Sequence, residues 1–182
     1  MTTTWRIDRS IDVAAYEAAG ETDEWYTPAY IFRAMGVRFD LDVSSPPTGP
    51  LHVPADDFIA PPRDGLSHPW HGFVWMNPPF GHQSTKRAWL ARFFDHGNGV
   101  ALVPDRTSAP WWQEAAPSAS AVLFISPKVK FLRPDGSRGE QPGTGTTLLA
   151  AGELGAKALM RAGDLGALFR PFHTKEHNHD HD

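Results

Sequence analysis

Four consecutive residues stand out for what their atoms could do: Asn77, Pro78, Pro79 and Phe80. They follow Phe73-Val74-Trp75-Met76, an apolar run with the make-up of a buried strand. Neither proline has an N–H for a sheet ladder and each fixes its own φ at about −65°, so the strand must stop there. Asn77 precedes a proline and is driven to extended geometry. The result is a stiff loop at the strand's C-terminal end, carrying one side-chain amide, bare backbone carbonyls and an aromatic ring. Amide and carbonyl oxygens accept hydrogen bonds, so Asn77 and the Pro78 carbonyl can face the two hydrogens of an exocyclic amine on a planar base. Phe80 can lie flat against that base. The same four residues could equally be a rigid turn, and the flanking sequence has to decide.

Further polar groups sit where elements should begin or end. Thr27 and Pro28 suit the N-cap and first position of a helix that places Ile31, Ala34 and Met35 on one face and closes at Gly36. Asp42 lies near the end of an alternating strand over residues 39–43, which runs into Ser44-Ser45-Pro46-Pro47. A carboxylate at such a strand end is where an α/β sheet holds a ligand, and also an ordinary place for a turn-forming Asp. Residues 44–71 are too rich in proline and polar residues for a long helix, and carry acidic strings at Asp56-Asp57 and Asp64.

Downstream, Ser84 is placed to cap a helix reaching His96, with Trp89/Phe93 and Leu90/Phe94 as apolar pairs one turn apart. Residues 99–103 and 121–125 are continuous apolar runs of the kind found in buried parallel strands. Pro110 opens a short helix after Ser108, a strand resumes over residues 129–131, and Pro134-Asp135-Gly136 makes a turn. A strand over residues 146–151 and a helix over 154–161 complete an alternating pattern, that of an α/β fold around a mostly parallel sheet with helices on both faces. A short helix over residues 10–20 precedes the pattern. The tail, with His173, His177, His179 and His181 among acidic residues, has no apolar anchor and reads as disordered. The domain reading is one unit over residues 1–172, including an N-terminal extension over 1–22, and then the tail.

The chain has 182 residues, enough to bury a core, and no cysteine, which excludes disulfides and thiolate metal sites. It has neither an apolar run long enough for a membrane span nor the pattern of a signal peptide, so a cytoplasmic protein is expected. Net charge is −4, but its distribution is uneven. Residues 85–138 carry eight Lys/Arg against four Asp/Glu, an excess that could meet phosphates. Lys86, Arg87 and Arg92 share one expected helix, and Arg106 follows the next strand; a solvated helix face accounts for the helical three equally well.

In their joint order these segments resemble the phage-type DNA adenine-N6 methyltransferases. The resemblance rests on Asp23-Glu24-Trp25 with Thr27-Pro28, Leu41-Asp42-Val43, Asp64-Gly65-Leu66 with Trp70, and Val74-Trp75 leading into Asn77-Pro78-Pro79-Phe80-Gly81. It continues with Leu102-Val103-Pro104, Arg106-Thr107, Trp111-Trp112, Phe124-Ile125 and Lys130-Phe131, and covers residues 23–150. It implies a Rossmann-like fold that binds S-adenosylmethionine and acts on double-stranded DNA with the target adenine flipped out. Asn77, Pro78, Pro79 and Phe80 would be catalytic. Thr27-Pro28 would lie near the methionine end of the cofactor, with Asp42 and Ser44 at the end of the first strand and Asp57 or Asp64 towards the adenosine. Lys86, Arg87, Arg92 and Arg106 would meet DNA. The glycine-rich loop usual in such enzymes is replaced by Val43-Ser44-Ser45-Pro46, which leaves open which acid holds the ribose.

Other readings keep or change the chemistry. An enzyme of this kind could act on cytosine-N4, an RNA adenine or a protein glutamine amide, all of which present an NH2 on a planar conjugated group. The fold could also serve as a non-catalytic nucleic-acid-binding domain. A metal hydrolase built on His68, His71 and His82 fits no recognisable zinc spacing.

Overall fold

The computed structural model describes residues 25–79, 82–139 and 143–171. The helix expected over residues 10–20, the histidine-rich tail, Phe80 and Gly81 lie outside them. A seven-stranded sheet forms the centre, in the order β2-β1-β3-β4-β6-β5-β7. Its strands are β1 (Phe39–Asp42), β2 (Ala55–Phe58), β3 (Val74–Met76), β4 (Gly99–Pro104), β5 (Ala121–Ile125), β6 (Thr146–Ala151) and β7 (Gly166–Phe169). β2, β1, β3 and β4 pair in parallel. β6 runs antiparallel between β4 and β5, so β5 points the same way as β4, and β7 runs antiparallel on the outer edge.

Two layers of helices cover the sheet, as two separate apolar clusters require. On one face α1 (Ala29–Met35) and α4 (Gly152–Arg161) bury Ile31, Phe32, Met35 and Leu159 against Trp75, Leu102, Leu123 and Leu148. On the other, α2 (Gln83–His96) and α3 (Pro110–Ala115) bury Trp89, Leu90, Phe93 and Trp111 against Val74, Met76, Val103 and Leu149. Alternate residues of one strand thus feed opposite clusters, as the period of two demands. Trp75 lies edge-on to Phe32 at 4.8 Å between ring centroids. This is an α/β architecture, parallel at the centre, and is compatible with the Rossmann-like fold that the resemblance implies.

Several elements differ from the sequence reading. Residues 129–131 do not join the sheet: isolated bridges link Leu132 to Tyr26 and to Arg138 instead. β2 falls inside the proline-rich stretch where no element is evident, because its pattern is half-exposed to fully exposed and so lacks an apolar signature. β7 also escapes notice, being an edge strand that alternates between half-buried and exposed. Thr27 does not cap α1. Pro28 takes the N-cap place, no side chain bonds the first turn, and the Thr27 hydroxyl is left for another partner. α2 begins two residues earlier than expected, and the His82 ring rather than Ser84 caps it, its Nδ1 accepting from the Ser84 N–H at 3.3 Å. α3 opens at Pro110, as expected, with Ala109 in the N-cap place.

Candidate active site

β1 leads to β2 on one side of it and, after that return, the chain crosses to β3 on the other side. The gap beyond the C-terminal ends of β1 and β3 is therefore the topological switch point, where an open α/β sheet offers a crevice. Asp42 ends β1 and Asn77 follows β3 directly, so the topology brings together two residues 35 positions apart.

The two strand ends are tied by a serine. The Ser44 hydroxyl accepts the Asn77 backbone N–H at 2.9 Å, and the Ser44 N–H donates to Asp42 Oδ1 at 3.2 Å. The end of β2 joins them: the Ile59 N–H donates to the Asp42 carbonyl at 2.8 Å and the Ser45 N–H to the Ile59 carbonyl at 3.0 Å. From the start of α1, the Thr27 hydroxyl accepts a long contact of 3.5 Å from Asn77 Nδ2. With its N–H and Nδ2 held, Asn77 has one side-chain polar atom left. Its Oδ1 is buried and has no hydrogen-bond partner.

An unpartnered buried carbonyl costs about 1–3 kcal/mol in lost hydration. Asp42 carries a comparable burden. Its side chain is 2% exposed, and burial pushes its pKa from 3.8 up to about 7, against the opposing pull of the Ser44 N–H. The Ser45 hydroxyl lies near enough to favour the charged form, but is not aligned as a donor and has no hydrogen-bond partner of its own. The crevice thus holds an amide oxygen, a hydroxyl and a carboxylate, each buried and under-satisfied. Such a set receives hydrogen-bond donors and positive charge.

Around this centre, Pro78 is buried and Pro79 exposed. Asp57 lies on β2, opposite Leu41 of β1, exposed, with its Oδ1 accepting the Phe58 N–H at 2.7 Å. Asp64 stands in the following loop, where its Oδ1 accepts the Leu66 N–H at 3.0 Å and closes a turn. Gly65 beside it lies so close to the Val43 carbonyl and the Trp89 ring that a Cβ would collide with both. Of the two acids, Asp57 is the one on a strand flanking β1.

The cations read from the sequence are dispersed. Lys86 is buried, its ammonium 5.7 Å from the centre of the Trp111 ring. Arg87 forms a two-pronged pair with Glu114 at 2.8 and 3.0 Å. Arg92 lies over the Trp70 ring at 4.9 Å and donates to the His68 carbonyl, bracing the loop before β3. Arg106, just past β4, lies on the crevice side of the sheet with a buried Nε that has no partner. Among the described residues no three His, Asp or Glu side chains are grouped to hold a metal, so His68, His71 and His82 form no such centre. No helix of the described residues is long and apolar enough to cross a membrane.

The sequence reading missed the Ser44–Asn77 bond and the contact of Thr27 with Asn77. Nothing local marks either: one joins residues 33 apart, the other residues 50 apart. Comparison with known proteins found no match among curated proteins or solved structures. The family model described as DNA N-6-adenine-methyltransferase (Dam) matches residues 16–153. That span takes in the whole crevice from Thr27 to Arg106 and most of the chain. The chain belongs to this family, and is an enzyme that methylates the N6 amine of adenine in DNA.

Proposed function

We propose that Asn77 and Pro78 bind the target adenine amine and that S-adenosylmethionine is the methyl donor. The observation that carries this reading is the buried, unpartnered Oδ1 of Asn77 at the switch point. S-adenosylmethionine, when bound, supplies a methyl group on a sulfonium centre. The residues present fit it: a buried carboxylate at Asp42 and the free Ser45 hydroxyl suit a cationic, donor-rich ligand, and the exposed Asp57 suits ribose hydroxyls.

An exocyclic adenine amine is a poor nucleophile because its lone pair is delocalised into the ring. Asn77 Oδ1 and the Pro78 carbonyl accept its two hydrogens and favour a pyramidal nitrogen, which frees the lone pair for in-line attack. Both acceptors oppose the positive charge that develops on nitrogen, a pre-organised electrostatic contribution. Ser44 fixes the Asn77 backbone and Thr27 its amide, so neither acceptor has to reorganise as charge develops. S-adenosylmethionine held beside Asp42 and Ser45 would supply the methyl group to that lone pair and leave as the neutral thioether, and the methylated nitrogen would shed one proton without a strong base. Phe80 stacks on a base that has left the duplex, since the crevice cannot reach an atom inside the helix. Arg106 stands ready for a phosphate beside the crevice, and the enzyme works in the cytoplasm.

The test is methyl transfer to a duplex from labelled S-adenosylmethionine, with nucleoside analysis of the product, beside a thermal titration with the same donor. N6-methyladenine as the labelled nucleoside and a rise in melting temperature are expected, because a ligand selective for the native state stabilises it. Label on cytosine, or no thermal response at millimolar donor, would overturn the reading.

A further inference from the structure

We propose that the hairpin spanning residues 128–138 is the element that grips the DNA backbone beside the crevice. This rests on the functional reading above, and adds to it the surface that the partner docks on.

Four of the eight cations between residues 85 and 138 fall in this short segment: Lys128, Lys130, Arg133 and Arg138. All four are exposed. One carboxylate accompanies them, Asp135, and it is turned inward on the hairpin itself, accepting the Ser137 N–H at 2.8 Å. The Ser137 hydroxyl, and then its N–H, hold the Asp135 carboxyl below the usual carboxylate range and engage it in closing the turn. Lys128 donates to the Gly143 carbonyl at 2.9 Å and Arg133 lies close enough to Asp135 to favour its charge, while among the described residues the side chains of Lys130 and Arg138 make no hydrogen bond or ion pair.

The segment is rigidly based. Val129 and Phe131 point into the core while Lys128 and Lys130 point out, an alternation legible as Lys-Val-Lys-Phe. The turn closes through Arg133 N–H to Ser137 at 2.9 Å and Gly136 N–H to Arg133 at 2.9 Å, with Gly136 at φ 78°. Gly139 donates to the Phe131 carbonyl at 2.8 Å and lies so close to the Trp25 ring that a Cβ would collide with it.

Its position is what makes the charge useful. β5 runs the same way as β3, so the hairpin that follows β5 leaves the sheet at the edge where Asn77 lies. Tyr26 and Leu132 exchange two backbone hydrogen bonds, of 3.0 and 2.9 Å. The next residue, Thr27, is the one whose hydroxyl meets Asn77. The cationic hairpin and the acceptor amide are therefore joined through three consecutive residues, Trp25-Tyr26-Thr27. A duplex whose base enters the crevice brings its phosphates over this rim, and exposed cations on a stiff ribbon, Lys130 and Arg138 unpaired among the described residues, meet them there. The α2 cations do not have that freedom.

The experiment compares wild type with the triple variant Lys130→Gln/Arg133→Gln/Arg138→Gln, using Lys157→Gln on α4 as the control. Binding of a short adenine-containing duplex is measured from low to physiological salt, beside turnover and melting temperature. Each phosphate contact contributes about 0.9 to the slope of log affinity against log salt, so three lost contacts should flatten it by about 2.7. DNA affinity and KM for DNA should worsen tenfold or more at moderate salt, with kcat at saturating duplex and melting temperature unchanged and the control indistinguishable from wild type. A triple variant with the wild-type salt slope, in an enzyme that binds and methylates DNA normally, overturns the hairpin and leaves the active-site reading intact. A wild type that neither binds nor methylates duplex DNA overturns both.

Discussion

The two halves of the sheet are built on different terms. β2, β1 and β3 have four, four and three residues, and are joined by loops without helices. β4 and β6 have six residues each and β5 five, with every position of β4 and β6 buried. Cross-strand register between β4 and β6 is continuous over six pairs, and α3 and α4 pack on this half. The second half gathers apolar surface. The first half, at its end, buries an amide oxygen, a hydroxyl and a carboxylate that the fold leaves under-satisfied. Each of those groups lowers stability when nothing is bound, and the long buried strands offset the loss. The chemistry therefore sits at the seam, one strand away from the part of the sheet that carries most of the packing.

Substitutions can break this contrast or sharpen it. The largest effect on function is expected from Asn77→Ala, which should lower turnover roughly a hundred- to a thousand-fold, the cost of losing one pre-organised contact to a developing charge. Its melting temperature should hold or rise, because the unpartnered carbonyl goes with the side chain. Steady-state kinetics beside calorimetry tests both halves of that statement; a strongly destabilised Asn77→Ala protein would dissolve the contrast. Leu148→Ala should do the reverse. Leu148 is wholly buried in β6, and its truncation should lower unfolding free energy by about 2–5 kcal/mol while leaving activity per folded molecule intact.

Asp42 should betray its strain through pH. The folded protein holds its proton up to about pH 7, whereas the unfolded chain releases it near the ordinary 3.8. The native state then binds the extra proton across that window, so stability falls as pH rises from about 4 to about 7 and levels off above. Asp42→Asn should flatten the slope, worth at most about 1.4 kcal/mol per pH unit, in denaturation curves taken across that range. The smallest effect is expected from Arg87→Gln on α2. Its ion pair with Glu114 is exposed on both sides, and exposed pairs contribute little. Melting temperature and the salt dependence of DNA binding should both stay at wild-type values.

How far the sequence reaches can be judged from particular residues. The strand at Val74–Met76, its stop at Pro78-Pro79 and the acceptor role open to Asn77 all follow from covalent facts: a ring without an N–H and an amide with a free oxygen. Gly36 as the end of α1, the apolar β4 and β5, and a helix after the proline loop follow from short-range periodicity in the same way. The element over 55–58 did not, because an exposed strand has no apolar alternation to read. The excess of positive charge was legible as a number, but not as a place. Lys86, Arg87 and Arg92 looked like a cationic face until α3 brought Trp111 and Glu114 against them and the loop before β3 brought Trp70.

By itself the sequence determined which groups could do chemistry and where the chain must turn, since those properties belong to a residue and its immediate neighbours. Only the tertiary structure decided that Ser44 holds Asn77, that Thr27 faces it instead of capping a helix, and that Asp42 is dry enough to keep a proton near neutrality. These depend on strands far apart in the chain meeting at a switch point, and on how much water the meeting excludes. Neither is a property of any local stretch of residues.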